Sequence, residues 1–147
     1  MDAAESDGTD QEFREATMNR EDIRNKLLTL PFERKDYWLV TGGAMVWYGF
    51  RSETNDVDLG CTKELADRLE AEGIPFAVME NGKRRFRFSE DIELFESWMQ
   101  GETAETDGFS VVTVVGLISM KRALGRDKDI RDVELILNQL RRDACVL

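Results

Sequence analysis

Apolar positions in the first third of the chain follow two periods. Residues 12–30 carry apolar side chains at helical spacing, and Pro31 then ends the predicted helix. The continuous apolar run YWLVT predicts a buried strand that stops at Gly42. The residues that follow, 44–48, favour a helix.

The middle of the chain contains strand patterns and one helix pattern. DVDLGC predicts a second strand, and TKELADRLEAEG predicts a helix with Thr62 as its N-cap and Gly73 as its stop. IPFAVME, KRRFRF and DIELF predict three further strands. The first two are joined at Asn81-Gly82, a strong hairpin signal.

The last third begins with a polar loop over residues 101–108, after which FSVVTVV predicts a strand or an extended linker. GLISMKRAL and DKDIRDVELILNQLRR predict two closing helices, and Asp127 is the candidate N-cap of the second. The apolar stripe predicted for this second helix consists of Ile130, Val133, Ile136, Leu137 and Leu140.

These elements predict an α/β (α+β) fold in which a mixed sheet is flanked by helices. The chain has 147 residues, the length of one domain, and shows no internal repeat. We therefore assign residues 12–147 to a single domain and the acidic residues 1–11 to a disordered tail.

Composition narrows the class of protein. No apolar run reaches the roughly 18–20 residues that span a bilayer, and the acidic N-terminus lacks signal-peptide features, so we expect a soluble cytoplasmic protein without membrane contact. Cys61 and Cys145 lack metal-site spacing and are expected to be free thiols. The absence of histidine excludes Ser-His, Cys-His and His-zinc chemistry.

The net charge of −10 argues against broad nucleic-acid binding, because phosphate backbones are held mainly by Lys and Arg. A local basic patch remains at KRRFRF, where Arg85 and Arg87 would share one strand face. That pattern is more typical of a solvated hairpin face than of a phosphate-binding surface.

Two carboxylates share one face of the second predicted strand. Asp56 and Asp58 lie two residues apart, roughly 6–7 Å along a strand, while Val57 and Leu59 point to the core. Two such charges repel each other, and a divalent cation with oxygen ligands is the usual resolution. The pair therefore predicts a Mg²⁺ site.

The strand-to-helix turn at Thr41, Gly42 and Gly43 predicts an anion site. Glycines let a ligand approach the backbone, and the free N–H groups of a helix N-terminus point towards an anion. A phosphate site close to a magnesium site describes a bound nucleoside triphosphate.

A third oxygen ligand would complete a two-metal site for in-line displacement. DIELF offers Glu93, which points away from the core between Ile92 and Leu94. Asp91 is the alternative, and we prefer Glu93 because its apolar flanks place it in the middle of the strand.

The spacing of these residues resembles that of the minimal nucleotidyltransferases of the DNA polymerase β superfamily, in the branch that holds the aminoglycoside and lincosamide enzymes and the abortive-infection toxins. The pattern comprises Gly42, Gly43, Ala44, Gly49, Arg51, Thr54, Asp56, Asp58 and Leu59. The C-terminal segment is similar as well, through Lys121, Arg126, Lys128, Asp129 and Asp132.

The resemblance implies a magnesium-dependent transfer of a nucleoside monophosphate from a nucleoside triphosphate to an acceptor hydroxyl on a small molecule, RNA or protein. It implies that Asp56, Asp58 and Glu93 bind Mg²⁺ and act in catalysis. The residues implied to bind the nucleotide are Thr41, Gly42, Gly43, Arg51, Thr54 and Lys121. Because the chain is short, the acceptor would be held by a protein partner, by a second subunit as in a homo-oligomer, or not at all. The alternative is a weakly active or non-catalytic binding module, such as a toxin-antitoxin component.

Overall fold

The computed structural model describes residues 17–146, so the predicted acidic tail over residues 1–11 lies outside the described part. These residues form one mixed α/β domain with a seven-stranded sheet and five helices. The strands are β1 (Tyr37–Val40), β2 (Val57–Cys61), β3 (Phe76–Val78), β4 (Arg84–Ser89), β5 (Ile92–Glu96), β6 (Thr103–Thr106) and β7 (Phe109–Val112). The helices are α1 (Arg20–Leu28), α2 (Thr41–Trp47), α3 (Lys63–Ala71), α4 (Val114–Leu124) and α5 (Asp127–Val146).

The sheet has the order β3-β4-β5-β2-β1-β7-β6. Strand β2 runs parallel to β5 and antiparallel to β1, and β1 runs parallel to β7. The two hairpins, β3–β4 and β6–β7, are antiparallel and form the two edges. Strands β5, β2 and β1 therefore occupy the middle of the sheet, where both predicted acidic strands lie side by side.

Alternation along β2 and β5 separates the core from the opposite face. Val57, Leu59, Ile92 and Leu94 are buried, with exposures of 4 % or less. Asp58 and Glu93 point to the other side of the sheet and remain half-buried. The strands YWLVT, DVDLGC and DIELF are confirmed, as are the α3 helix with its Thr62 cap and the hairpin at Asn81-Gly82.

Of the helix predicted over residues 12–30, residues 12–16 lie outside the described part, and α1 begins at Arg20. Residues 17–19 are not helical, and Met18 pairs instead with Thr54 in an isolated bridge. Asn19 caps the helix: its side chain accepts from the Asp22 N–H, and the Asp22 side chain accepts from the Asn19 N–H. The capping box, rather than the apolar period, sets the start of this helix.

The predicted polar loop over residues 101–108 is wrong, because it contains strand β6. This strand is polar since it lies at the sheet edge, paired only with β7. Asp107 and Gly108 both have left-handed φ angles, 54° and 84°, and form the hairpin turn. The FSVVTVV strand also ends early, at Val112, because the Thr113 side chain caps helix α4 by accepting from the Gly116 N–H.

The last helix differs from its prediction in two ways. Asp127 is its first residue and not its N-cap, because the Arg126 carbonyl accepts from the Ile130 N–H. Within the predicted stripe, Val133 and Ile136 are buried whereas Ile130 and Leu140 are exposed. The helix instead turns two buried aspartates inward, as described below.

None of the helices in residues 17–146 is both long and apolar enough to cross a membrane. Cys61 is a free, fully buried thiol, and burial raises its pKa to about 12. It is therefore an unreactive core residue at neutral pH.

Candidate functional site

The parallel register of β2 and β5 places Asp58 directly beside Glu93. Asp56 lies two residues before Asp58, just ahead of the first residue of β2, and is exposed. Alternation puts Asp58 and Glu93 on the same face of the sheet, and Asp56, although outside the strand, lines the same clefts as Asp58. Three residues predicted from two distant segments are therefore brought together at one edge of the central strands.

The environment of Asp58 raises the pKa of its carboxyl. Burial raises the pKa of its carboxyl above the ordinary value, and the nearby charges of Glu93 and Asp56 raise it further. The Thr41 hydroxyl opposes this shift by donating a hydrogen bond to Asp58 Oδ2 at 2.9 Å. The charge of Arg85 also lowers the pKa, but Asp58 forms no ion pair within the described residues and the net shift stays upward.

Thr41 is held in a conformation that its side chain disfavours. Its φ is +50°, in the left-handed region, which is unusual for a β-branched residue. The position is the junction between β1 and α2, where the chain must reverse direction within one residue. Backbone strain of this kind is concentrated at functional sites, and here it aims the Thr41 hydroxyl at Asp58.

The two glycines of the turn have different surroundings. Gly42 lines the cleft described below, and a Cβ there would meet Thr54 Oγ1 at 3.0 Å and Arg51 Nη1 at 3.4 Å. Gly43 is buried, and a Cβ there would meet Leu39 Cδ1 at 2.7 Å. Gly42 therefore faces the site, while the Gly43 side of the turn faces the core.

A buried ion network on the C-terminal helices forms the opposite wall. Lys121 on α4 is 5 % exposed, and its Nζ lies 2.9 Å from Asp132 Oδ2 and 3.7 Å from Asp129 Oδ1. Arg51 Nη2 donates to the other Asp132 oxygen at 2.7 Å. Asp132 therefore bridges the α2–β2 loop to helices α4 and α5.

Arg126 extends this network towards solvent. Its Nε lies 2.6 Å from Asp129 Oδ2, and this hydrogen bond is the main reason that the pKa of Asp129 is lowered. Asp129 is itself fully buried, whereas half of the Arg126 side chain is exposed. Each buried aspartate is thus shared between two cationic side chains, and the cations are held in place at the cleft wall.

These residues enclose a cleft of about 450 Å³. Its lining includes five basic residues, Arg51, Arg85, Lys121, Arg126 and Lys128. It includes three acidic residues, Asp56, Asp58 and Asp132. Basic residues therefore outnumber acidic ones in the lining by two, in a chain whose net charge is −10, and the buried Asp129 behind the wall offsets part of that excess. Such a surface attracts anions, and the carboxylate pair at its floor attracts a cation.

A second, smaller cleft of about 170 Å³ adjoins the first at the carboxylates. Asp56 and Asp58 line both clefts, whereas Glu93 lines only the second. The Glu93 carboxylate pairs there with Arg87, at 3.1 Å from Nη2. Asp91 is occupied by Lys26 Nζ, at 2.7 Å, and by the Ser89 hydroxyl. Of the two candidates for the third carboxylate, Glu93 is the one beside Asp58.

The donor chemistry at this edge fits magnesium bound jointly by protein and substrate. Among residues 17–146, no group of three or more Asp, Glu or Cys side chains converges on one point. Magnesium, however, is commonly held by one or two carboxylates together with substrate phosphates and water. Asp58, desolvated and without a cationic partner, and its neighbour Asp56 meet that requirement.

The site residues predicted from the sequence do not include the aromatic end of the first cleft. Phe95 and Trp98 line the first cleft, as does Arg85. Alternation along DIELF puts Phe95 on the Glu93 face, so a signal for Phe95 was present in the sequence. The sequence favours Trp98, like Trp38 and Trp47, as a core or interface aromatic rather than a base-stacking surface, but Trp98 lies in the turn after β5 and lines the cleft.

No protein-family model, curated protein or solved structure matches this chain.

Proposed function

We propose that this protein transfers a nucleoside monophosphate from a nucleoside triphosphate to an acceptor hydroxyl, with Mg²⁺ as cofactor. The observation that carries the proposal is the pairing of Asp56 and Asp58 at the floor of a basic cleft. A triphosphate needs cationic side chains along its oxygens and a divalent cation between it and the protein. This cleft offers both within one enclosed space.

The basic wall is suited to the phosphates. Arg51 and Lys121 are positioned through Asp132, so both present donors without first losing conformational freedom. Gly42 leaves room for a phosphate beside Thr54, since a Cβ would fill that space. Arg126 and Lys128 lie at the more exposed part of the wall, where the terminal phosphates are expected.

The carboxylates are suited to the reacting end of the nucleotide. Asp56 and Asp58 would hold the Mg²⁺, which when bound supplies positive charge next to the transferring phosphate. Glu93 would accept the proton of the acceptor hydroxyl as the new O–P bond forms and pyrophosphate leaves. For that role the Glu93 carboxylate must separate from Arg87, which is 60 % exposed and also donates a hydrogen bond to the Glu90 carbonyl.

The proposed fold family is the nucleotidyltransferase fold of the DNA polymerase β superfamily. Its support is the mixed sheet, with the D-x-D strand in the centre and the strand bearing the third carboxylate parallel to it. The glycine turn precedes the D-x-D strand in the chain and directly follows β1, whose last residue, Val40, pairs with Asp58.

A non-catalytic binding module is the second candidate. It is favoured by the ion pair between Arg87 and Glu93, which occupies the proposed base. A protein of this kind would bind magnesium and triphosphate in the first cleft and carry out no transfer. Turnover separates the two candidates, whereas binding does not.

The decisive experiment incubates the protein with Mg²⁺, each of four α-labelled nucleoside triphosphates and a cell extract. Transfer predicts label on a small molecule, RNA or protein, together with release of pyrophosphate. Binding of nucleotide with no label transferred from any of the four would support the binding module. Absence of magnesium-dependent nucleotide binding would overturn both.

Glu93→Gln provides the sharper test of mechanism once label transfer is seen. We expect turnover to fall by several powers of ten while nucleotide affinity stays within a few-fold, because the lost group acts in the transition state. Glu105→Gln on edge strand β6 is the matched control, since it removes an exposed carboxylate that lines neither cleft. Full activity in Glu93→Gln would move the role to Asp91, which Asp91→Asn then tests.

A further inference from the structure

One end of the first cleft is aromatic. Phe95 on β5 and Trp98 in the turn that follows both line the cleft, with ring centroids 5.0 Å apart and planes inclined at 51°. Both side chains are half-buried, whereas Trp38 and Trp47 are 4–5 % exposed and belong to the core. The Phe95–Trp98 pair therefore presents ring surface to the cleft.

The conformation of the Trp98 turn is defined by its backbone angles and by one hydrogen bond from the core. Ser97 and Met99, on either side of Trp98, have left-handed φ angles of 59° and 60°, which non-glycine residues rarely adopt. Trp38 Nε1 donates a hydrogen bond of 2.7 Å to the Trp98 carbonyl. Gly60 makes space for this contact, because a Cβ there would lie 2.0 Å from Trp38 Nε1 and 2.6 Å from the Trp98 carbonyl oxygen.

The aromatic pair lies two strand residues away from the carboxylates at the proposed reacting end of the nucleotide. Phe95 is two residues beyond Glu93 on β5, and its register partner is Gly60, two residues beyond Asp58 on β2. Two strand residues span roughly 6–7 Å, about the length of a ribose. A nucleotide whose α-phosphate lies at Asp58 would therefore place its base at the Phe95–Trp98 pair.

We propose that Trp98, supported by Phe95, is the stacking surface for the base of the nucleoside triphosphate. This inference rests on the proposed function and names the part of the site that recognises the nucleoside. Arg85, the register partner of Phe95 on β4, also lines the cleft and can add a cation–π or polar contact to the stacked base. Base–aromatic stacking tolerates every base and strengthens with ring area, so ATP and GTP bind more tightly than CTP and UTP.

The test compares Mg-ATP with Mg-tripolyphosphate by titration calorimetry on the wild type, Trp98→Ala and Trp98→Phe. Tripolyphosphate carries the phosphates without a base. We expect Trp98→Ala to weaken Mg-ATP binding about tenfold or more and to leave Mg-tripolyphosphate binding unchanged. Trp98→Phe, which keeps a ring, should retain most of the ATP affinity. A thermal melt of each variant checks that it folds, and Phe95→Leu replaces Trp98→Ala if the latter does not.

The possible outcomes separate this inference from the proposed function. Equal ATP affinity in the wild type and Trp98→Ala would overturn the stacking role while leaving the phosphate site intact. Equal losses for ATP and tripolyphosphate would also overturn it, because Trp98 would then support the cleft as a whole. Failure of the wild type to bind either ligand in the presence of Mg²⁺ would overturn the proposed function and this inference with it.

Discussion

At the scale of single residues, the adjacent glycines of the β1–α2 turn have separate structural reasons to be glycine. A side chain at position 42 would enter the cleft beside Thr54 and Arg51, and one at position 43 would press into Leu39. Both positions exclude larger residues, but only at Gly42 does the excluded space belong to the first cleft.

We therefore expect two different outcomes from substitution. Gly43→Val should lower the free energy of unfolding by about 1–3 kcal/mol, because it overpacks a closed part of the core. Gly42→Ala should melt close to the wild-type temperature but bind Mg-ATP several-fold more weakly, since its methyl group takes up space needed by a phosphate. A thermal melt and a calorimetric titration of both variants measure this contrast. Unchanged ATP affinity in a folded Gly42→Ala protein would remove Gly42 from the phosphate site.

Residue positions in strands could be predicted from the sequence because alternation leaves little choice. Once Val57 and Leu59 face the core, Asp58 must face away from it, and the same holds for Glu93 between Ile92 and Leu94. The left-handed Thr41 and the paired Arg87 could not be predicted. They depend on the path of a turn and on the neighbour of a strand, which a single sequence does not encode locally.

At the scale of elements, helices α4 and α5 pack against each other through ion pairs as well as through apolar contact. Val133 and Ile136 provide the apolar part, and Asp129 and Asp132 lie beside them on the same buried face. Lys121 pairs with both aspartates from α4. Buried charges of this kind are costly to separate, because each partner would be left in a desolvated environment.

Lys121→Met should therefore destabilise the protein, by roughly 2–3 kcal/mol in the free energy of unfolding. The expected loss is below that of an isolated buried pair because Arg51 and Arg126 still contact the aspartates. Lys128→Met is the matched control on the same hairpin, since Lys128 is exposed and lines the cleft. It should lower Mg-ATP affinity with little change in denaturant midpoint. Equal midpoints for the two variants would contradict a structural role for Lys121.

The sequence does contain local signals for several helix and strand boundaries that differ from the predicted ones. N-R-E-D at residues 19–22 is a capping box, and Asp107-Gly108 is a hairpin signal in which both residues have positive φ, whereas only Gly82 does in the Asn81-Gly82 turn. The apolar period led to a predicted helix that starts before the Asn19 cap, and the polar sequence TAET gave no indication of edge strand β6. The inward rotation of α5 has no such signal, because two buried aspartates contradict the usual rule that charge faces solvent.

At the scale of the whole molecule, charge is distributed unevenly. The chain carries −10, yet the first cleft is lined by five basic and three acidic residues. Asp58 is one of the acidic residues that line this basic cleft, and burial raises the pKa of its carboxyl. A carboxyl with a higher pKa in the folded than in the unfolded state binds its proton more tightly when folded. Its ionisation therefore removes stability as the pH rises above the ordinary value of 3.8.

This sign gives a prediction that needs no acceptor. At neutral pH in chelator, Asp58→Asn should melt at or above the wild-type temperature, because the neutral amide avoids the cost of a desolvated charge beside Asp56 and Glu93. The advantage should shrink below about pH 3.8, where the carboxyl is protonated in both states. Glu105→Gln controls for the general effect of removing one negative charge from the molecule.

Adding Mg²⁺ with a non-hydrolysable triphosphate should reverse the order of the two melting temperatures. A ligand at 100 times its dissociation constant stabilises the wild type by roughly 2.7 kcal/mol, which is several degrees for a domain of this length. Asp58→Asn should gain little, because it lacks the carboxylate that joins the cation to the protein, while Glu105→Gln should gain as much as the wild type. If Asp58→Asn shifted as far as the wild type, the D-x-D pair would not hold the metal. The basic cleft would then bind phosphates without a cation, and nucleotidyl transfer would lose the observation on which it rests.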